Sequence, residues 1–293
     1  MSGILEATPY DELNQVLTYL VSGVQDVLRS NFVGAYLQGS FAIGDFSEFS
    51  DCDFIVIAGD DLSDSELTAL QKLHKDLQRL PHPYWPVNLE GSYAPKDILR
   101  RWTVEPRDPP GEPRDADWGD PGMDGVPARC YPFWYLNHGS NTLIRSEHDN
   151  SQVVRWTLRE KGVRLSGPDI ASLIDPVSAH DLQAEVRETM DIAIDSGLSM
   201  PMFAYQAFWV GLFCRILHTM ATGQVTSKKE AMGWAQAALD PSWQGLIVRA
   251  LSLRKGDAEQ AAMPPDPEDE AATRAFAACC RNMADAMVQE CAV

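Results

Sequence analysis

The chain has 293 residues, enough for two domains that each bury a core, and with 45% apolar and 23% charged residues it reads as a folded globular protein. Lys plus Arg number 24 against 42 Asp plus Glu, a net charge of −18. That excess argues against a sequence-independent nucleic-acid binder, which needs clustered cations for phosphates, and it suits a cationic substrate or a metal-carried polyphosphate. The N-terminal residues lack the basic and apolar regions of a signal peptide, and no run approaches the ~18 apolar residues of a bilayer span. A cytoplasmic protein without membrane partners is therefore expected. The six cysteines, Cys52, Cys130, Cys214, Cys279, Cys280 and Cys291, show no metal-ligand spacing and read as reduced thiols, mostly core filler.

Over residues 10–30, Leu13, Val16, Leu17, Leu20, Val24, Val27 and Leu28 recur at helical spacing and predict an amphipathic helix. VGAYLQGS, from Val33, reads as a buried strand stopping at a Gly39-Ser40 corner, and DFIVIAG, from Asp53, as a second strand. Leu67, Leu70, Leu73, Leu77 and Leu80 mark another helix, with Ser63 or Ser65 as its N-cap. PVNLEGSY, from Pro86, is a third strand candidate. This alternation predicts an α+β or α/β domain around a small mixed sheet. From Glu105 to Pro127 six prolines and seven acids against two arginines defeat both periodicities, so a long acidic surface loop is expected over about 105–127. Farther on, Tyr131, Phe133, Trp134 and Tyr135 crowd together, as core or as a stacking wall for a ring. His138 and His148 read as hydrogen-bonding residues, and Asp149 to Trp156 opens an amphipathic helix. Beyond Pro168 five helical segments separated by Gly, Pro, Ser or Asp predict an all-helical bundle, with Phe203 to Met220 as its buried central helix. The division expected is residues 1–165 and 166–293, with a site in the cleft between the two domains.

The chemistry concentrates in LQGSFAIGDFSEFSDCDFIVI. Ten residues separate Ser40 from Asp51, and Asp51-Cys52-Asp53 leads into an apolar strand. Alternation along a strand points Asp51 and Asp53 to one face and Cys52 to the other. Two carboxylates on one face suit a hard cation such as Mg²⁺, which bridges a triphosphate and stabilises charge in phosphoryl or nucleotidyl transfer. At the corner, Gly39 lets backbone approach a phosphate, and the Ser40 hydroxyl and nearby amides can donate to it.

This compound pattern resembles the nucleotidyltransferase superfamily typified by DNA polymerase beta, in which the two carboxylates bind metal. LFCRILHTMATGQVTSKKEAMGWAQAAL, in the helical half, is similar to the signature of streptomycin/spectinomycin-type aminoglycoside adenylyltransferases, and GPDIASLIDPVSAHDL resembles the segment preceding it. The resemblance covers most of the chain except about residues 95–150. It implies transfer of AMP from ATP to an aminoglycoside hydroxyl with release of pyrophosphate. It implies that Asp51, Asp53 and a third carboxylate, Glu90, hold Mg²⁺, with Glu90 the base. It implies that Lys228 contacts the nucleotide phosphates and that Arg215 faces the same cleft. One departure concerns the acceptor: the family's acids near the start of the central helix are replaced by GLSMPMFAYQAFWV, with Pro201 and Tyr205 at those positions. The loop acids Asp108, Glu112, Asp115, Asp117, Asp120 and Asp124 offer compensating charge. The same chemistry on another hydroxyl, of a protein, a tRNA or a metabolite, is the alternative, and a nucleotide-binding module without catalysis is a further one.

Overall fold

A computed structural model describes residues 6–48, 50–103, 130–252 and 261–291. The acidic loop expected over about 105–127, its six named acids included, lies outside the described residues. The chain divides into two compact units, Met1–Pro176 and Val177–Val293. The boundary expected after residue 165 falls inside a strand of the first unit.

In its described residues the first unit is a six-stranded mixed sheet with strand order β5-β4-β3-β2-β1-β6, where β1 is Phe32–Leu37, β2 Cys52–Ala58, β3 Leu89–Pro95, β4 Phe133–Leu136, β5 Ile144–Ser146 and β6 Val163–Ser166. Only β2 and β3 run parallel; every other neighbouring pair is antiparallel. The alternation of side chains divides the sheet cleanly. Cys52, Phe54, Val56 and Ala58 of β2, with Leu89 and Tyr93 of β3, join one core with the helices α1 (Asp11–Leu28) and α3 (Asp64–Leu77). Ile55 and Ile57, with Ala94 and Phe133, join a second core against Leu158 of α5 (Gln152–Lys161). Asp53 and Glu90, being of the same parity as Ile55 and Ala94, lie on the second face.

The caps follow the chemistry of the residues at the helix starts. Ser63 accepts from the Glu66 amide while the Glu66 carboxylate accepts from the Ser63 amide, a reciprocal capping box on α3. α5 begins later than the sequence suggests, at Gln152, because the Ser151 hydroxyl accepts from the Val154 amide at 3.1 Å and makes Ser151 the cap. Three strands were not anticipated, β4, β5 and β6. Each has only three or four residues, too few for a period of two to stand out. The third expected strand also starts later, since Pro86 lies in a single 3₁₀ turn, Trp85–Val87, before β3. Buried Arg155, 1% exposed, donates to the carbonyls of Leu99, Ser151 and Ile98 at 2.9–3.0 Å, which ties α5 to the short helix α4 (Lys96–Arg100). On the other face His74 of α3 meets the Tyr93 hydroxyl at 2.8 Å, and complete burial pushes the imidazole down to about 3, so it stays neutral.

The second unit is helical in its described residues: α6 (Ala179–Asp195), α7 (Phe203–Thr222), α8 (Lys228–Ala238), α9 (Gln244–Ser252) and α10 (Pro267–Cys291). All five helices expected from the sequence are present. α7 is central, packing against the other four, with Val210, Phe213, Cys214 and Leu217 completely buried. Buried Gln206 of α7 donates to Thr273 of α10 at 3.0 Å. Cys52, Cys214 and Cys280 are buried thiols, in keeping with a filler role. No described helix is long and apolar enough to cross a membrane.

Candidate active site

β1 ends at Leu37, Gln38 follows, and Gly39 opens the short helix α2 (Gly39–Ile43) with a left-handed φ of +57°. The expected corner is this strand-to-helix turn. The Gln38 amide donates to the Asp53 carbonyl at 2.9 Å, so the turn is fastened to the start of β2. A Cβ on Gly39 would lie 1.9 Å from Asp53 Oδ2. Glycine is thus required twice, for the backbone angle and for the room that the carboxylate occupies. Phe41 of α2 is buried in an aromatic cluster, stacked on Phe46 at 4.5 Å and edge-on to Trp85 and Tyr10.

The parallel register places Asp53 directly beside Glu90. Asp51, exposed, precedes β2. Glu90 has three neighbours that spacing alone did not connect to it. The Tyr135 hydroxyl donates to Oε1, His148 Nε2 lies 3.4 Å from the same oxygen, and His138 Nδ1 lies 3.2 Å from Oε2. His138 and His148 are hydrogen-bonding residues as expected, and their shared partner is the glutamate. A further carboxylate, Asp149, sits behind this group. It is buried, accepts from Gln38 at 2.9 Å and from Ser92 at 2.6 Å, and burial pushes its carboxyl above the ordinary range. No sequence signal singled out Asp149, because its partners are 57 and 111 residues away.

Asp53 feels all of these charges. Burial first, then Glu90, Asp149 and Asp51, push its carboxyl up to about 7, with His148 pulling the other way. A group of carboxylates that repel one another and are partly desolvated is suited to a divalent cation, which supplies the missing positive charge. Ligand atoms of Asp51, Glu90 and His138 lie within 4.8 Å of one another. Asp53 is not in that trio but stands beside it, its carboxylate against Gly39. The donor set therefore fits a divalent cation in chemistry and spacing.

The aromatic run follows the core expectation rather than that of a stacking wall. Phe133 and Tyr131 belong to the second core, and Tyr135 is 2% exposed yet presents its hydroxyl to Glu90. Trp134 faces the other way and stacks on the Arg145 guanidinium at 4.1 Å. Core packing thus accounts for the run. Ser40 lies in the first turn of α2, half-buried. Arg215 and Lys228 lie in the second unit, on the adjoining helices α7 and α8. Lys228 is the first residue of α8, after the Ser227 cap, with Nζ 5.8 Å from the Phe208 ring centre. At the two positions where the family carries acids, exposed Pro201 precedes α7 and exposed Tyr205 lies in its first turn; Phe208, farther along α7, is exposed as well.

A mixed sheet carrying an Asp-x-Asp strand start beside a glutamate, followed by a helical unit, is the architecture that the resemblance to nucleotidyltransferases implies. Residues 172–279 match the family model described as the C-terminal domain of aminoglycoside adenylyltransferase. The chain is 23% identical over 255 residues to spectinomycin 9-adenylyltransferase of Staphylococcus aureus strains Mu50 and N315, an alignment covering 79% of this chain and 88% of that protein. A crystal structure of spectinomycin adenyltransferase AAD(9) from Enterococcus faecialis with ATP and spectinomycin matches with a TM-score of 0.63 and 12% identity, over 92% of this chain and 98% of that one. At that identity the structural likeness is one of fold. The chain is thus aminoglycoside adenylyltransferase-like along most of its length, as its two sets of motifs imply.

Proposed function

We propose that this protein transfers AMP from ATP to a hydroxyl of an aminoglycoside-type acceptor, with a divalent cation, Mg²⁺ in the first instance, and with pyrophosphate leaving. The observation that carries the reading is the Asp53–Glu90 pair at one point of the parallel β2–β3 ladder, with Asp51 one turn of the pleat away. The similarity to enzymes named as spectinomycin adenylyltransferases supports the choice of nucleotide and acceptor class.

In this reading Asp51, Asp53 and Glu90 would hold the cation, and the chemistry it would supply is positive charge against the triphosphate and the departing pyrophosphate. Gly39 and Ser40 line the triphosphate, Gly39 through its backbone and Ser40 through its hydroxyl. Glu90 takes the proton from the acceptor hydroxyl as it attacks the α-phosphorus. Tyr135 and His148 keep Glu90 Oε1 engaged, so the carboxylate is held in one orientation before substrate arrives. Asp149 fixes Gln38 and Ser92, the neighbours of Gly39 and Glu90, and thereby holds the spacing of β1 and β3 at the site. Lys228 and Arg215 serve the nucleotide phosphates, a role resting on the resemblance of their motif.

Pyrophosphate release from MgATP, with and without streptomycin, spectinomycin and kanamycin, tests the proposal. Release is expected with at least one drug and to be absent in Asp51→Asn and Glu90→Gln, both still folded by circular dichroism. Turnover like the wild type in either variant overturns the role given to it. Lys228→Ala is expected to raise KM for ATP with the acceptor KM unchanged. A second reading keeps the chemistry and changes the acceptor. It is favoured by exposed Tyr205 and Phe208 on α7, which give that stretch an apolar rather than an anionic character. Magnesium-dependent ATP binding without release for any drug selects it.

A further inference from the structure

We propose that His138 is itself a ligand of the divalent cation, so that the centre has a mixed oxygen and nitrogen shell and binds Mn²⁺ more tightly than Mg²⁺. The inference rests on the nucleotidyltransferase reading and deepens it. Three observations carry it. The ligand atoms of Asp51, Glu90 and His138 all lie within 4.8 Å of one another. Around one octahedral cation with bonds of about 2.1 Å, neighbouring ligand atoms are about 3.0 Å apart and opposite ones about 4.2 Å. His138 Nδ1 stands 3.2 Å from Glu90 Oε2, close to the first of these separations.

The second observation is where the histidine is fixed. It follows β4 in a turn whose Gly139, at φ +76°, donates its amide to the Val87 carbonyl at 2.6 Å. Gln78 of the neighbouring segment donates to the Ser140 carbonyl at 2.8 Å. The turn is thereby pinned from two sides, and the imidazole is held over Glu90 at the open side of the site, its side chain 55% exposed. A cation and its waters can reach it.

The third observation is the division of labour on Glu90. Tyr135 and His148 engage Oε1, whereas His138 meets Oε2. Oε1 already has two partners from the protein, and Oε2 faces His138. An imidazole nitrogen in the shell favours first-row transition cations over Mg²⁺, whose preference is for oxygen.

The test uses the full-length protein, freed of metal and without nucleotide, titrated with MnCl₂ and read by pulsed electron paramagnetic resonance. One Asp51-dependent Mn²⁺ is expected, with nitrogen-14 modulation from a directly bound imidazole. That modulation should persist in His148→Ala and vanish in His138→Ala. Mn²⁺ affinity should fall about tenfold in His138→Ala, while Mg²⁺ affinity, measured by competition, changes less than twofold. Mn²⁺ bound through Asp51 without nitrogen coupling, or coupling retained in His138→Ala, overturns the ligand role and leaves the nucleotidyltransferase reading standing. Absence of any Asp51-dependent Mn²⁺ binding also overturns it. Pyrophosphate release decides the enzymatic reading separately, so the two failures are distinguishable.

Discussion

Whether Asp53 can occupy its place is decided at Gly39. Gly39→Ala would put a methyl 1.9 Å from Asp53 Oδ2 and 2.6 Å from its Cγ, so the whole carboxylate must move. The positive φ adds about 1–2 kcal/mol of strain. The expected outcome is AMP transfer reduced at least a hundredfold with only a modest loss of thermal stability, checked by parallel turnover and melting measurements. Asp53 also carries a stability cost of its own. Its folded carboxyl is pushed up to about 7 from 3.8, so the folded state holds the proton more tightly than the unfolded chain. The associated stability is present below pH 4 and lost as pH rises through 7. Metal-free Asp53→Asn should therefore match the wild type near pH 4 and exceed it at pH 8, by on the order of a few kcal/mol at ~1.4 kcal/mol per unit. Urea unfolding at the two pH values checks this, and an Asn variant no more stable at pH 8 contradicts it. The sequence displayed both aspartates and Glu90, because strand alternation and an abrupt apolar run are local signals. It did not display Tyr135, His148 and Asp149 as their company, since what joins those residues is a sheet whose later strands are too short to read.

At the scale of the element, the β2–β3 ladder is what sets the carboxylates side by side. Gly91 follows Glu90, and its register partner is Phe54. A Cβ on Gly91 would fall 2.0 Å from the Phe54 carbonyl oxygen, a backbone atom that cannot rotate away. Gly91→Ala is expected to push β3 from β2, costing about 1–3 kcal/mol in overpacking and separating Glu90 from Asp53. Turnover should fall more steeply than the stability loss explains, and a variant with normal turnover would show that the ladder tolerates the shift. The helices were more legible than the strands. α1 and α3 carry leucines every three or four residues, and the helices of the second unit are bounded by breaks, of which the Ser227 cap of α8 is one. β4, β5 and β6 owe their conformation to partners already in the sheet, which no local pattern records.

For the whole molecule, the net charge of −18 acts over distances longer than any single contact. A field of that sign draws in a cationic acceptor and repels free ATP, and salt weakens both effects beyond a screening length of about 10 Å at 0.1 M. Raising ionic strength from 0.05 to 0.5 M should lower kcat/KM for a polycationic acceptor several-fold while leaving kcat nearly unchanged. A salt-independent kcat/KM would mean that steering contributes nothing. The sequence by itself determined the class of fold, the acidic strand start and the likeness to aminoglycoside adenylyltransferases, because periodicity and short motifs are properties of neighbours along the chain. Tertiary structure alone decided that the chain continues its sheet to β6, that Asp53 rests on Gly39, and that two histidines, a tyrosine and a buried aspartate surround Glu90. Those groups are brought together by strand pairing over tens of residues, and the energies that matter there, desolvation and repulsion between carboxylates, arise only once the pairing has formed.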